Sequence, residues 1–334
     1  MRIATAFDEP VCEGTLAAFD EHVDAVEKEL GRPRNDDPIV VYWLDDVTEH
    51  CGENRTGCFF PGTRVLFSTG RSITHEVVHA VLDSTSHTYF VEEGLAEIYS
   101  GDDVWHRPDP EHGRPIDNLH LSKEAYRAGK LDYSGAAHFM RYVHDRKGAF
   151  GMRALAKDVA EGGSTSALEA TLVGLFDQSV DEIQRDYFQR ARVYYPGFAA
   201  AEVERAEALW AGVEVRLRCG DDGTRGPLGE HGGLYTVRAF EAELDGVSHI
   251  EVSGDAGGWV RFMRPAAGHG FVTNWTMPIE DIDPQAFELR AGESIDRRLG
   301  RGEWLAIFGA DSDHTDVGFT LRTQQPAGPA QEGS

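Results

Sequence analysis

The segment His75-Glu76-Val77-Val78-His79 sets two imidazoles four residues apart with a carboxylate between them. On a helix, positions i and i+4 share one face, so both rings can turn toward a single zinc ion while Glu76 stands beside the water that ion binds. The chemistry expected is hydrolysis: the ion acidifies the water and polarises a carbonyl, and Glu76 moves the proton. Val77, Val78, Val81 and Leu82 make the remainder of the segment apolar, as in a helix buried at the base of a cleft. Two histidines and a glutamate on so apolar a helix need a compensating partner, and a metal is one.

A third ligand must come from elsewhere. The HExxHxxGxxH spacing of the metzincins fails, because Leu82 and Thr85 stand where Gly and His are required. His87 is near but falls in a polar turn, Asp83 to His87, where a solvated role is expected. The acids of Glu92-Glu93-Gly94-Leu95-Ala96-Glu97 open the next helical pattern. HExxH followed after a short connection by this helix resembles the gluzincins, zinc metallopeptidases whose third ligand is a glutamate, over about residues 64–142. The resemblance implies Glu93 as the ligand, directly before Gly94-Leu95-Ala96, with Glu92 turned about 100° away. Glu97, four residues on, is then placed to hold the outer ring nitrogen of a histidine, His75 first. It also implies a downstream donor to the developing oxyanion: Tyr133 at the mouth of a helix, with His138 as the second choice. The strand at Arg64–Ser68 is expected to offer an edge to an extended peptide.

These residues need elements to carry them. Leu16, Phe19, Val23, Val26 and Leu30 recur at helical spacing, and Gly31 with Pro33 ends the pattern. Residues 39–44 and 64–68 read as strands around a cysteine-bearing loop, and helices are predicted over 72–82, with Ser72 as N-cap, and 89–99. Four more helical patterns lie near 122–129, 134–146, 149–160 and 178–193. After Tyr195-Pro196-Gly197 short alternating runs separated by Gly, Asp and Pro predict an antiparallel β-sandwich. Asp-rich turns there, Asp221-Asp222-Gly223 and Asp311 to Asp316, read as hairpin ends.

Thirty-four residues beyond three hundred, 334 in all, allow two domains. Lys and Arg number 32 against 57 Asp and Glu, a net charge of −25, which disfavours nucleic acid and anionic membrane surfaces. No apolar run is long enough to span a bilayer. Cys12, Cys51, Cys58 and Cys219 form no CxxC pair. A Cys51–Cys58 bridge would leave Cys12 to pair with Cys219, and disulfides would place the protein outside the cytoplasm. The expectation is an α+β chain: a zincin-like metallopeptidase domain, residues 1–200, a β-sandwich domain, 201–323, and a disordered tail, 324–334. The function expected is zinc-dependent cleavage of a peptide or protein substrate. The alternatives are a catalytically silent zinc protein that binds through its β-sandwich, and an accidental HExxH.

Overall fold

A computed structural model describes residues 1–8, 10–32, 37–70, 72–84, 88–100, 105–106, 115–192, 195–196, 212–227, 233–242, 246–263, 286–311 and 316–324. His87, the interior of the Asp311–Asp316 turn and the tail after Gln324 lie outside the described residues. The class is α+β. The chain divides into two units: the described residues of the first fall within Met1–Asp8 and Ala18–Glu202, those of the second within Glu9–Ala17, Val203–Pro265 and Trp275–Ser334.

The first unit opens with β1 (Arg2–Thr5), most of α1 (Glu13–Leu30), β2 (Val40–Trp43), the short α2 (Thr48–Cys51), β3 (Gly57–Phe60) and β4 (Val65–Ser68). These strands form one sheet in the order β1-β2-β4-β3, parallel except for β3, which runs antiparallel to β4 and is the outer strand. Helices α3 (Ile73–Leu82) and α4 (Tyr89–Tyr99) follow. In α3, Ile73, Val77, Val78, Ala80 and Leu82 are all fully buried; each large apolar side chain contributes about 1.5–3 kcal/mol by leaving water. Ser72 holds the N-cap position without capping through its side chain. Its hydroxyl instead donates to Thr56 O at 2.7 Å and meets Ser68 Oγ at 2.8 Å, which ties the start of α3 to β4 and to the residue just before β3.

Beyond β5 (Trp105–His106) come a 3₁₀ turn at Pro115–His120, α5 (Lys123–Arg127), α6 (Tyr133–Ala160), α7 (Thr165–Phe176), α8 (Val180–Arg190) and β6 (Tyr195–Pro196), which pairs with β5. The two helical patterns at 134–146 and 149–160 are α6, interrupted at Gly148 by a φ of 63° that favours glycine. Asp132 caps α6 by accepting the Gly135 N–H at 2.9 Å, which fixes Tyr133 as the first helical residue. Gly94 lets α4 lie against α6, since a Cβ there would stand 2.8 Å from Met140 Cγ and 2.9 Å from Ala136 O.

The second unit contains β7 (Val213–Arg218), β8 (Tyr235–Ala242), β9 (Gly246–Gly254), β10 (Gly258–Met263), β11 (Phe287–Arg290), β12 (Ser294–Leu299), β13 (Gly302–Ala310) and β14 (Asp316–Gln324). Two antiparallel sheets result, β11-β10-β13-β8 and β12-β9-β14-β7. Their facing side chains, among them Phe262, Trp304 and Phe308 on one and Leu217, Val252 and Phe319 on the other, share one core as in a β-sandwich. The run Trp304 to Phe308 does not alternate: all five residues are buried, so this central strand is covered on both faces.

All four cysteines are paired, Cys51 with Cys58 and Cys12 with Cys219. The second bridge lies within the second unit, because residues 9–17 belong to it. There the Cys12 N–H donates to Gly226 O at 3.0 Å, and Thr15 Oγ1 both donates to Gly226 O and accepts its N–H. A domain boundary drawn at residue 1 therefore misses a segment that sequence order hides. No described helix is long and apolar enough to cross a membrane.

Candidate metal centre

Helix α3 presents His75 and His79 toward α4, and α4 presents Glu93 back. His75 Nε2 stands 3.1 Å from His79 Nε2 and 3.2 Å from Glu93 Oε2, and His79 Nε2 stands 3.3 Å from the same oxygen. Two donors bound tetrahedrally to one zinc ion at about 2.0–2.1 Å lie about 3.3–3.4 Å apart, so this triangle has the size of a three-ligand zinc face. Among the described residues it is the single group of this kind.

The outer ring nitrogens support the same assignment. His75 Nδ1 is 3.3 Å from Glu97 Oε1, and His79 Nδ1 is 3.5 Å from Glu92 Oε1. With an N–H held at Nδ1 by each carboxylate, the Nε2 lone pairs point into the triangle. Glu97 thus sits where the resemblance implied. Glu92, turned away from the triangle as its position on the helix requires, has a role the sequence reading missed: it orients His79. Tyr126 was missed as well. Its hydroxyl donates to Glu93 Oε1 at 2.5 Å, its ring stacks on Tyr89 with centroids 4.1 Å apart, and it accepts a hydrogen bond from Arg55 Nη1 at 3.0 Å. A lone Tyr in a polar helix of five residues carries no periodic signal, and only the approach of α5 to α4 reveals it.

Electrostatically the centre is built for positive charge. Burial alone would depress His75 and His79, yet the bonds and charges of Glu93 and Glu97 hold His75 well above its ordinary value, and Glu93 with Glu92 raises His79 to about 10. Burial pushes Glu93 up, but the two imidazoles outweigh it and hold the carboxyl well below the usual range. Glu76 is different: burial dominates and raises its pKa, the direction that suits a group exchanging protons near neutrality. Its carboxylate lies against Gly57, where a Cβ would come within 2.7 Å of Glu76 Oε1.

A cleft of about 730 Å³ opens over these residues, lined also by Arg55, Tyr89, Tyr126 and Tyr133. Tyr133 therefore reaches the cleft beside Tyr126. His138 does not: it is 1% exposed, with Nδ1 2.7 Å from Tyr187 Oη and Nε2 2.9 Å from Arg192 O. The residues 64–68 do not form the edge expected of them either. β4 is paired on both sides, and the outer strand beside α3 is β3, hidden in sequence inside the cysteine loop.

No protein-family model and no curated protein matches the chain. Among solved structures, the pre-peptidase C-terminal domain of collagenase from Bacillus anthracis is 13% identical, with 37% of this chain and 95% of that one covered and a TM-score of 0.24. The periplasmic g-type lysozyme inhibitor PliG of Salmonella Typhimurium is 8% identical, with 37% and 100% covered and a TM-score of 0.21.

Proposed function

We propose that the chain is a zinc-dependent peptidase of gluzincin type, its first unit a zincin-like lobe, acting outside the cytoplasm on a peptide or protein substrate. The observation that carries this is the triangle of His75 Nε2, His79 Nε2 and Glu93 Oε2, 3.1–3.3 Å on a side, with Glu76 in the same cleft. The mixed sheet with an antiparallel outer strand beside the HExxH helix supports the lobe, and two disulfides support an oxidising compartment. Zinc held by the three residues supplies a Lewis acid and an acidified water. Glu76 takes the proton of the attacking water and passes it to the leaving amine. Tyr133 donates to the oxyanion that develops on the scissile carbonyl. Tyr126, Glu97 and Glu92 keep the ligands aimed.

Zinc content after dialysis and hydrolysis of a fluorogenic peptide mixture test the reading together. About one zinc per chain is expected in the wild type and in Glu76→Gln, little in Glu93→Ala, and a loss of hydrolysis in Glu76→Gln of about 10²–10⁴-fold. Equal hydrolysis by Glu76→Gln sinks the mechanism. Zinc retained with no hydrolysis by the wild type leaves a silent zinc protein, and no zinc in a folded, supplemented wild type leaves an accidental motif.

A further inference from the structure

Arg55 is the one Lys or Arg among the described residues lining the cleft. It sits in the short loop closed by the Cys51–Cys58 bridge, a tether that limits how far it can stray. Of its five N–H donors, the hydrogen bond among the described residues is that of Nη1 to Tyr126 Oη, and its guanidinium lies 5.1 Å from the centroid of that ring. The acids around it are committed differently. Glu92, Glu93 and Glu97 each face a ring nitrogen of His75 or His79, and Glu76 is the proton carrier. The cleft therefore keeps spare guanidinium donors for an anion.

Position gives that anion an address. Gly57 lies against Glu76, which sets the start of β3 beside the proton carrier. Arg55 precedes Gly57 by two residues, and its Nη1 reaches Tyr126 Oη, which in turn donates to Glu93 Oε1, so the guanidinium stands beside the metal-binding triangle. A peptide laid along the outer strand β3 would present, at the Arg55 end, either its N-terminal side or its C-terminal side, depending on direction. Only the latter brings a negative end group to a guanidinium, and the place of that guanidinium beside Glu93 keeps the end group close to the bond to be cut. We propose that Arg55 binds a carboxylate of the substrate on the C-terminal side of the scissile bond, so that the enzyme acts as a carboxypeptidase releasing one or two residues. This rests on the peptidase reading, and it runs against the preference for neutral or basic substrates that the net charge of −25 would set at long range; a charge-assisted bidentate contact acts locally and outweighs it.

The test is calorimetric binding to zinc-supplemented Glu76→Gln protein, which holds peptides uncut. Three probes are used: an N-acetylated tripeptide with a free carboxylate, its C-terminal amide, and an amide whose last residue is Asp. The free acid is expected to bind about tenfold or more tightly than the plain amide. Adding Arg55→Gln brings that ratio to about one, while Arg55→Lys keeps part of it, with zinc content unchanged in both. An Asp-amide that binds as tightly as the free acid assigns the anion to a side chain and overturns the carboxypeptidase assignment. Equal binding of all three probes, or a ratio that survives Arg55→Gln, overturns the proposal outright. Hydrolysis by the Glu76 protein is followed in parallel: an acid preference lost in Arg55→Gln, with no probe ever cut by the wild type, would fell the peptidase reading while the anion site stood.

Discussion

The two units use charge in opposite ways. In the first, Glu76, His79 and Glu93 are buried and His75 is half-buried, and both histidines and Glu93 are each held by another polar group. In the second, the buried polar residues among those described are hydroxyls such as Ser248 and Thr323, and charged pairs such as Arg216–Asp316 lie outside the core, with side chains 64% and 39% exposed. Even the Asp-rich turn at Asp221 is occupied by its neighbour, since Arg218 Nη2 donates to it at 3.0 Å. Burying charged groups without compensation costs several kcal/mol, so the first unit carries a cost that the second does not. The lesson is where to look for chemistry: the unit that retains expensive buried groups is the one with a reason to keep them.

Three substitutions would break or sharpen that contrast. The largest effect is expected from Phe262→Ala in the sandwich core, where a fully buried ring is removed; a loss of about 3–5 kcal/mol in urea unfolding of the second unit is expected, with zinc content unchanged. A drop in zinc content would show that the two units do not divide stability and chemistry as described. Next is His22, buried on α1 with Nε2 3.2 Å from Thr74 O and Nδ1 without a partner. Burial, only partly offset by that hydrogen bond, pushes its pKa down to about 4. The folded ring is thus neutral where the unfolded ring, near 6.5, takes up a proton. Its contribution is complete above pH 6.5 and is lost as the pH falls from there to about 4, about 3 kcal/mol in all. Urea midpoints measured across that window should fall less steeply in His22→Gln than in the wild type, and identical slopes would refute the assignment. Smallest is Gly94→Ala, which forces α4 away from Ala136 O and Met140 and should cost about 1–3 kcal/mol. Because Glu93 is the adjacent residue, zinc affinity should fall with stability; unchanged affinity would mean that the α4–α6 contact does not position the ligand.

Much of this was legible in the residues. HExxH and the glutamate helix stand at 73–82 and 89–99, close to the spans their periodicity gives, because both helices are buried along wide apolar faces that dominate local pattern. Strands covered by neighbours were likewise visible. What escaped were outer strands: β1, β3, β11 and β12 each lie at the edge of a sheet, and their few apolar residues make no run or alternation long enough to read. Helix α7 escaped for a related reason, as its buried stripe is only Leu168, Leu172 and Phe176.

The sequence by itself determined the donor set, since two imidazoles at i and i+4 must share a face of any helix they occupy, and a glutamate ahead of Gly-Leu-Ala opens the helix that follows. It determined which cysteines were available and that the chain changes texture near residue 200. Tertiary structure alone decided which groups meet across elements. It turned Glu92 into the partner of His79, brought Tyr126 from α5 to Glu93, withdrew His138 into the core and gave the edge to β3. It also carried Arg55 to the cleft and the segment 9–17 to the second unit. The physical reason is common to all: these contacts join residues far apart in sequence through single side chains, and neither hydrophobic period nor local propensity records the meeting of two surfaces.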